Sequence, residues 1–413
     1  MRANLSHYFD GVALKALSAV EIDSTRSNQH EFQATASMRE FLGSPSDPIQ
    51  YSATFLYFSE DEVNNKVETS ILTLYNARKN NPKRAAEYRL YFRNNDATSA
   101  AHAGDLLAIC QKPTREIVVL LVKAGSLVEH QVRLLFGQKA SWDSTKFSVS
   151  TSRQLQQESV NLPEKLILDL LGVGTDFTEE SDIPADLILD TFPVMPMGKE
   201  LSVFSRKHAQ IELPELGPDQ ALANWLEIEH ANFQILEHRE IEKRIQTGFF
   251  GDDNKVDTEG FLRFSINMIN RRRSRAGKSL EYHLEHIFRE YNVLHTYQGY
   301  TEGRSQPDFI FPGIPHYGDS NFPTSELTFL GAERTLKDRW RQVLKEAERI
   351  PFKHLVTVDV GLTKPQVDDI VAAEIQLIVP TPIADLYPEE TTESFFSLDQ
   401  FLALVTEKQS KWL

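Results

Sequence analysis

Across the first third of the chain, apolar positions fall in short alternating or aromatic-rich runs: ATFLYF at 53–58, SILTLY at 70–75, YRLYF at 88–92 and EIVVLLV at 116–122. Runs of that length, rich in β-branched and aromatic residues, predict the strands of a mainly β region. Around 172–184 the composition turns to Gly, Thr, Asp, Glu and Ser, which reads as a linker. Beyond it the period lengthens. Residues 219–245 place Leu222, Trp225, Leu226, Ile228, Phe233, Ile235 and Leu236 at helical spacing and predict one long helix. Phe309, Ile310 and Phe311 predict a short buried strand, and Leu336, Trp340, Val343, Leu344 and Ala347 predict a helix opening at about Thr335. Two further apolar strands, at 354–358 and 374–379, flank a helix and suit the closing half of an α/β sheet. No internal repeat stands out.

Composition bounds this picture. A chain of 413 residues exceeds one ordinary core and suggests two or three domains, and 41% hydrophobic with 25% charged residues is a soluble, globular balance. One cysteine, Cys110, excludes an intramolecular disulfide and suits a reducing cytoplasm. The opening MRANLSHYFDG has no apolar signal region and no run approaches the roughly 20 apolar residues that span a bilayer, so a cytoplasmic protein with no membrane partner is expected. A net charge of −15 sits badly with nucleic-acid binding, which needs clustered cations. Its distribution changes that: cations gather at 78–93 and 271–278, acids at 178–190 and 387–393.

Candidate chemistry concentrates between 307 and 346. Asp308, after Pro307, opens the apolar strand, and Glu346 projects from the third or fourth turn of the expected helix. Two carboxylates from different elements can clamp a hard divalent cation beside a scissile phosphate, although an acidic helix is also commonly just solvated. In the adjacent pair Lys337 and Asp338, Lys can donate to guanine O6 and N7 while Asp accepts from cytosine N4, so the pair can read a C:G base pair; a solvated Lys-Asp-Arg cluster ending at Arg339 is the alternative. Arg271, Arg272, Arg273, Arg275 and Lys278 read as phosphate contacts. RAGKS at 275–279 ends like a phosphate-binding loop, but Arg272 stands where that loop needs its first glycine, which excludes an ATPase signature. His283 and His286 have a spacing that can ligate zinc, yet no second cluster accompanies them. Near the amino terminus, YNARKNNPKR at 75–84 places Arg78, Lys79, Lys83 and Arg84 between two expected strands, where a cationic loop can straddle phosphates.

Taken in order, NRRRSRAGKSLEYHLEHIF (270–288), TEG, PDFIFP and LKDRWRQVL resemble the catalytic domain of the EcoRII family of type II restriction endonucleases, densely over about 263–348. The resemblance implies an α/β restriction-endonuclease-like domain over 191–413, with a PD-(D/E)xK core of mixed sheet flanked by helices. It implies magnesium-dependent cutting of both DNA strands at a short site with C:G pairs, in host defence. Asp308 then matches the family's metal-binding aspartate, Glu346 its downstream acidic residue and Glu281 its helical glutamate, while Lys337, Asp338 and Arg339 match the segment that meets base edges. More weakly, residues 1–175 resemble the family's mainly β DNA-recognition pseudobarrel, with Arg26 in 24–30 on the second arm of its grip and 176–190 as linker. Two strands to cut with one site per chain imply a homodimer on double-stranded DNA.

The chain departs from the family at one point. The family's catalytic lysine belongs two residues before Thr335, where this chain has Glu333, followed by Arg334. A lysine there would neutralise charge on the attacked phosphate. Three readings stay open: Arg334 or another cation supplies the charge, Glu333 is a further metal ligand, or the chain is a sequence-specific or modified-base DNA-binding protein on a degraded nuclease scaffold.

Overall fold

The computed structural model describes the chain except for residues 1–3, 23–29, 60–64, 80–82, 139–142, 157–182, 212, 251–254, 335, 337–339, 361 and 412–413, together with the side chains of 269, 272, 273 and 276. It divides into two compact units, Arg2–Phe177 and Thr178–Leu413.

The first unit is built on eight strands: β1 (Gly11–Ala16), β2 (Glu31–Ala34), β3 (Ile49–Phe58), β4 (Lys66–Asn76), β5 (Tyr88–Phe92), β6 (Leu106–Gln111), β7 (Ile117–Val122) and β8 (Ser148–Thr151). They form one sheet in the order β2-β5-β4-β3-β7-β6-β1-β8, antiparallel except where β3 meets β7. All four apolar runs of the sequence fall on strands, the last from Ile117 onward. Residues of β1 through β7, among them Phe32, Phe55, Leu72, Phe92, Ile109 and Val119, share a single buried cluster, as a curled sheet requires. β6 and β7 are buried at every position. Among the described residues the end strands β2 and β8 do not pair, so this is a pseudobarrel and not a closed barrel.

Of the expected linker, 176–190, residues 176–182 lie outside the described set, and helix α1 (Ala185–Thr191) occupies its far end. Helices α2 (Gly198–His208), α3 (Leu213–Thr247) and α4 (Thr258–Glu290) follow. α3 is interrupted at Gly217, whose φ of 75° no ordinary helical residue adopts, and Pro218 then sets the first turn of the long segment. That is where the apolar spacing places its start.

A mixed sheet of β9 (Thr296–Tyr297), β10 (Phe309–Phe311), β11 (Thr328–Glu333), β12 (Lys353–Thr357) and β13 (Ile375–Ile378) comes next, in the order β13-β12-β11-β10-β9. β9 to β11 run antiparallel and β11 to β13 parallel, the latter pair joined by α6 (Lys364–Ala372) as the sequence predicts. Phe288 of α4 meets Phe309 and Phe311 edge-on, both at 5.1 Å, which binds helix to sheet.

One expected element is corrected. The helix from about Thr335 to Ala347 is, among the described residues, only α5 (Trp340–Val343). Ala347 takes a left-handed φ of 46°, and the buried Lys353 ammonium donates to the carbonyls of Glu346 and, at 2.7 Å, Ala347. Carbonyls that a continuing helix would bond internally are claimed from β12, so Glu346 leaves on a turn. Among the described residues no helix is long and apolar enough to cross a membrane.

Candidate active site

Asp308 stands immediately before β10, anchored by three fully buried residues after it. Its Oδ2 accepts from the Ala332 N–H of β11 at 2.8 Å, and its carbonyl accepts from the Gln298 N–H at 2.8 Å, so both flanking segments fix it. Glu333 closes β11, in register with Thr357 of β12. On α4, Glu281 is buried and accepts from Lys278 Nζ at 2.9 and 2.7 Å, from the Tyr297 hydroxyl at 2.9 Å and from Gln298 Nε2 at 3.0 Å. Glu346 occupies the turn after α5.

These acids share one electrostatic field. Burial raises the Asp308 carboxyl and the Glu281 charge raises it further, to about 7, with Glu346 reinforcing while the Ala332 N–H and Lys278 oppose. Burial also raises Glu346, with Lys353 opposing and Glu333 reinforcing. Asp308, Glu281, Glu346 and Glu333, which span 65 positions of sequence from 281 to 346, are therefore brought within one another's electrostatic reach. They do not form a closed coordination shell: among the described residues no group of three or more His, Cys, Asp and Glu side chains is disposed to hold a metal ion. Magnesium needs only one or two carboxylates and several waters. Asp308 and Glu346 offer such a pair: burial raises both carboxyls and neighbouring acid charges add to it, and a bound cation would favour the charged form of each, so the donor set fits a hard divalent ion.

The remaining candidates divide. Arg334 follows β11, its carbonyl accepting from Thr357 Oγ1 at 3.5 Å, and its charge adds to the burial that lowers Arg275 to about 10 against the pull of Glu229. Lys337, Asp338, Arg339 and Arg26 lie outside the described residues, as does the Arg272 side chain. Arg271 is paired with Glu240. Arg78 pairs with Glu87 and Lys79 with Asp47 at 2.7 Å, while Lys83 and Arg84 are exposed. Arg275 corrects the reading of the 271–278 run: it lies 2.7 Å from the fully buried Glu229 and over the Phe233 ring at 3.8 Å, which takes it out of reach of a phosphate.

The spacing of His283 and His286 reflects packing, not zinc. His283 is fully buried, its Nδ1 2.9 Å from Arg206 Nη1 and its Nε2 2.9 Å from Glu229 Oε2, the second contact off the line of a full hydrogen bond. His286 lies against Trp225. Sequence reasoning missed Glu229 and Arg206. A signal existed: Glu229 falls between Trp225, Leu226 and Phe233, Leu236 on the stripe that predicts α3, a carboxylate where the pattern asks for an apolar residue.

Comparison with known proteins bears on the same segment. Residues 233–402 match the family model described as EcoRII C terminal. The chain is 35% identical over 212 residues to the type II restriction enzyme EcoRII of Escherichia coli, an alignment covering 51% of this chain and 50% of that protein, so the chain spans about half the length of this relative. Among solved structures it is similar to metal-depleted Ecl18kI in complex with uncleaved, modified DNA (17% identity, TM-score 0.45, 55% of this chain and 84% of that one). It is also similar to the restriction endonuclease PspGI in a substrate DNA complex (15% identity, TM-score 0.43, 54% and 96%). The stretch that matches the EcoRII C-terminal family model, residues 233–402, is the one that holds Asp308, Glu281, Glu333 and Glu346.

Proposed function

We propose that the chain is a type II site-specific deoxyribonuclease, hydrolysing phosphodiester bonds of double-stranded DNA with magnesium at a short site containing C:G pairs, as a homodimer acting in restriction. The observation that carries this reading is the meeting of Asp308, Glu281 and Glu346 from a strand, a helix and a turn in one buried, mutually repelling field, inside the segment that matches the EcoRII C-terminal family. Asp308 and Glu346 would hold the metal, with Glu333 as a further oxygen donor. A magnesium ion there supplies neutralisation of phosphate charge and a more acidic water. The protein's own part is positional: the Ala332 N–H aims the Asp308 carboxylate, and Lys278, Tyr297 and Gln298 hold Glu281. Lys337, Asp338 and Arg339 would read base edges, and the cations of the first unit would grip a copy of the site.

Glu333 favours the second reading, a DNA-binding protein that has lost cleavage. Incubating the purified chain with plasmid DNA and magnesium separates them. We expect discrete fragments from the native chain, none from Asp308→Ala, and retained specific DNA binding by that variant. Unaltered cutting by Asp308→Ala would remove this site from the reaction, and binding without cutting by the native chain would leave the second reading.

A further inference from the structure

Glu281 has little capacity left for a metal ion. A carboxylate offers about four lone-pair sites. Lys278 donates to Oε1 at 2.9 Å and Oε2 at 2.7 Å, and Tyr297 and Gln298 donate to Oε2 at 2.9 and 3.0 Å. What this arrangement fixes is Lys278. The ammonium carries three donors and Glu281 occupies two, leaving one. The Lys278 side chain is 41% exposed and that of Glu281 only 7%, so the open side of the pair is its cation. Gln298 links the pair to the backbone of the next acidic residue, donating its side-chain N–H to Glu281 and its backbone N–H to the Asp308 main-chain carbonyl at 2.8 Å. The Lys278 charge reaches Asp308, opposing the burial and the Glu281 charge that raise that carboxyl. Its neighbour in the same run, Arg275, is committed to Glu229. Lys278 is thus a cation held among the acids with a donor to spare.

We propose that Lys278 is the catalytic cation of this site, giving its third N–H to a non-bridging oxygen of the attacked DNA phosphate, with Glu281 the residue that positions it. This rests on the nuclease reading above. In the step, the water oxygen forms the new bond to phosphorus and the bond from phosphorus to one ester oxygen breaks, carrying its electron pair to that oxygen. The proton given up by the water balances the one the leaving oxygen takes from solvent. Lys278 exchanges no proton and stabilises the charge on the phosphoryl oxygens.

The test uses the full chain, magnesium and a plasmid whose cleavage sites have been mapped with the native protein. Lys278→Met should lower the single-turnover rate at saturating enzyme roughly 10²-fold, while the Kd measured without divalent metal changes by less than about threefold, since one phosphate contact among many is lost. Lys278→Cys should be equally slow and should regain most of the rate on alkylation with bromoethylamine, which restores an ammonium at nearly lysine length. Cys110, the other thiol, is fully buried. Cutting by Lys278→Met at near the native rate overturns the proposal and leaves the nuclease reading intact. A loss that alkylation does not restore also overturns it, because the lysine would then serve only to hold the helix or Glu281. A native chain that cuts nothing overturns the nuclease reading, and the proposal with it.

Discussion

At position 333 a carboxylate and a lysine make opposite contributions, and the surroundings decide which the site requires. The Glu333 charge already bears on Glu346, so the carboxyl lies within reach of the same field as Asp308. With Lys278 supplying positive charge, Glu333→Lys would remove an oxygen donor and set a second cation beside the metal-holding pair. We expect it to lower the cleavage rate by on the order of tenfold or more and to shift the magnesium dependence to higher concentration. A faster enzyme would mean that the native site is short of positive charge, contrary to the role given to Lys278. Asp308 and Glu346 could be singled out as candidates because a carboxylate opening an apolar run, and another downstream of it, are visible without a fold. Lys278 was not. A run of cations carries no record of which member faces an acid and which is buried, and only the rotation of α4 separates Arg275, turned onto Glu229, from Lys278, turned onto Glu281.

Elements follow the same logic. The long apolar stripe of α3 and the parallel strands around α6 could be read because their periodicity is strong. α5 could not, because a lysine ten residues past its end takes the carbonyls that would have extended it. Two-residue β9 exists only through its pairing with β10. Between α2, α3 and α4 the buried group of Arg206, Glu229, Arg275 and His283 sets how the unit responds to acid. Burial pushes His283 below its ordinary value of 6.5, Glu229 opposing. Above that pH the imidazole is neutral folded and unfolded; below it the unfolded chain takes up the proton first, so stability is lost as pH falls. For Glu229, burial alone would raise the carboxyl, but the His283 and Arg275 side chains outweigh it and hold it at about 2 against an ordinary 4.5. Its contribution is present above about 4.5 and lost as pH falls toward 2. Both groups act in one direction. Amide exchange over 218–247 should therefore accelerate, beyond its intrinsic pH dependence, in two stages on acidification. Glu229→Ala should destabilise this unit at neutral pH by about 3–5 kcal/mol, because it leaves Arg275 buried without its counter-charge. Exchange insensitive to both changes would show that these groups do not hold the helices together.

For the whole molecule the question is how a chain of net charge −15 grips a polyanion. Cations that already hold carboxylates must break those pairs to meet a phosphate. Arg78 is engaged with Glu87, Lys79 with Asp47, Arg271 with Glu240 and Arg275 with Glu229, so much of the basic composition that pointed to DNA is internally neutralised. Sequence shows where cations cluster and not which of them are committed. Lys83 and Arg84, just ahead of β5, are exposed, and they are the cations of the first unit from which a phosphate contact is best expected. Each phosphate contact releases condensed counterions, so losing two should flatten the plot of log K against log salt by about 1.8, at roughly 0.9 per contact. The double variant Lys83→Ala, Arg84→Ala should show that change on specific and random duplexes alike, since phosphate contacts position a protein without reading sequence. Titrations of both duplexes at several salt concentrations, with divalent metal left out to prevent cutting, measure it. An unchanged slope would remove the 75–84 loop from the DNA interface, and a loss confined to the specific duplex would mean that the loop reads bases.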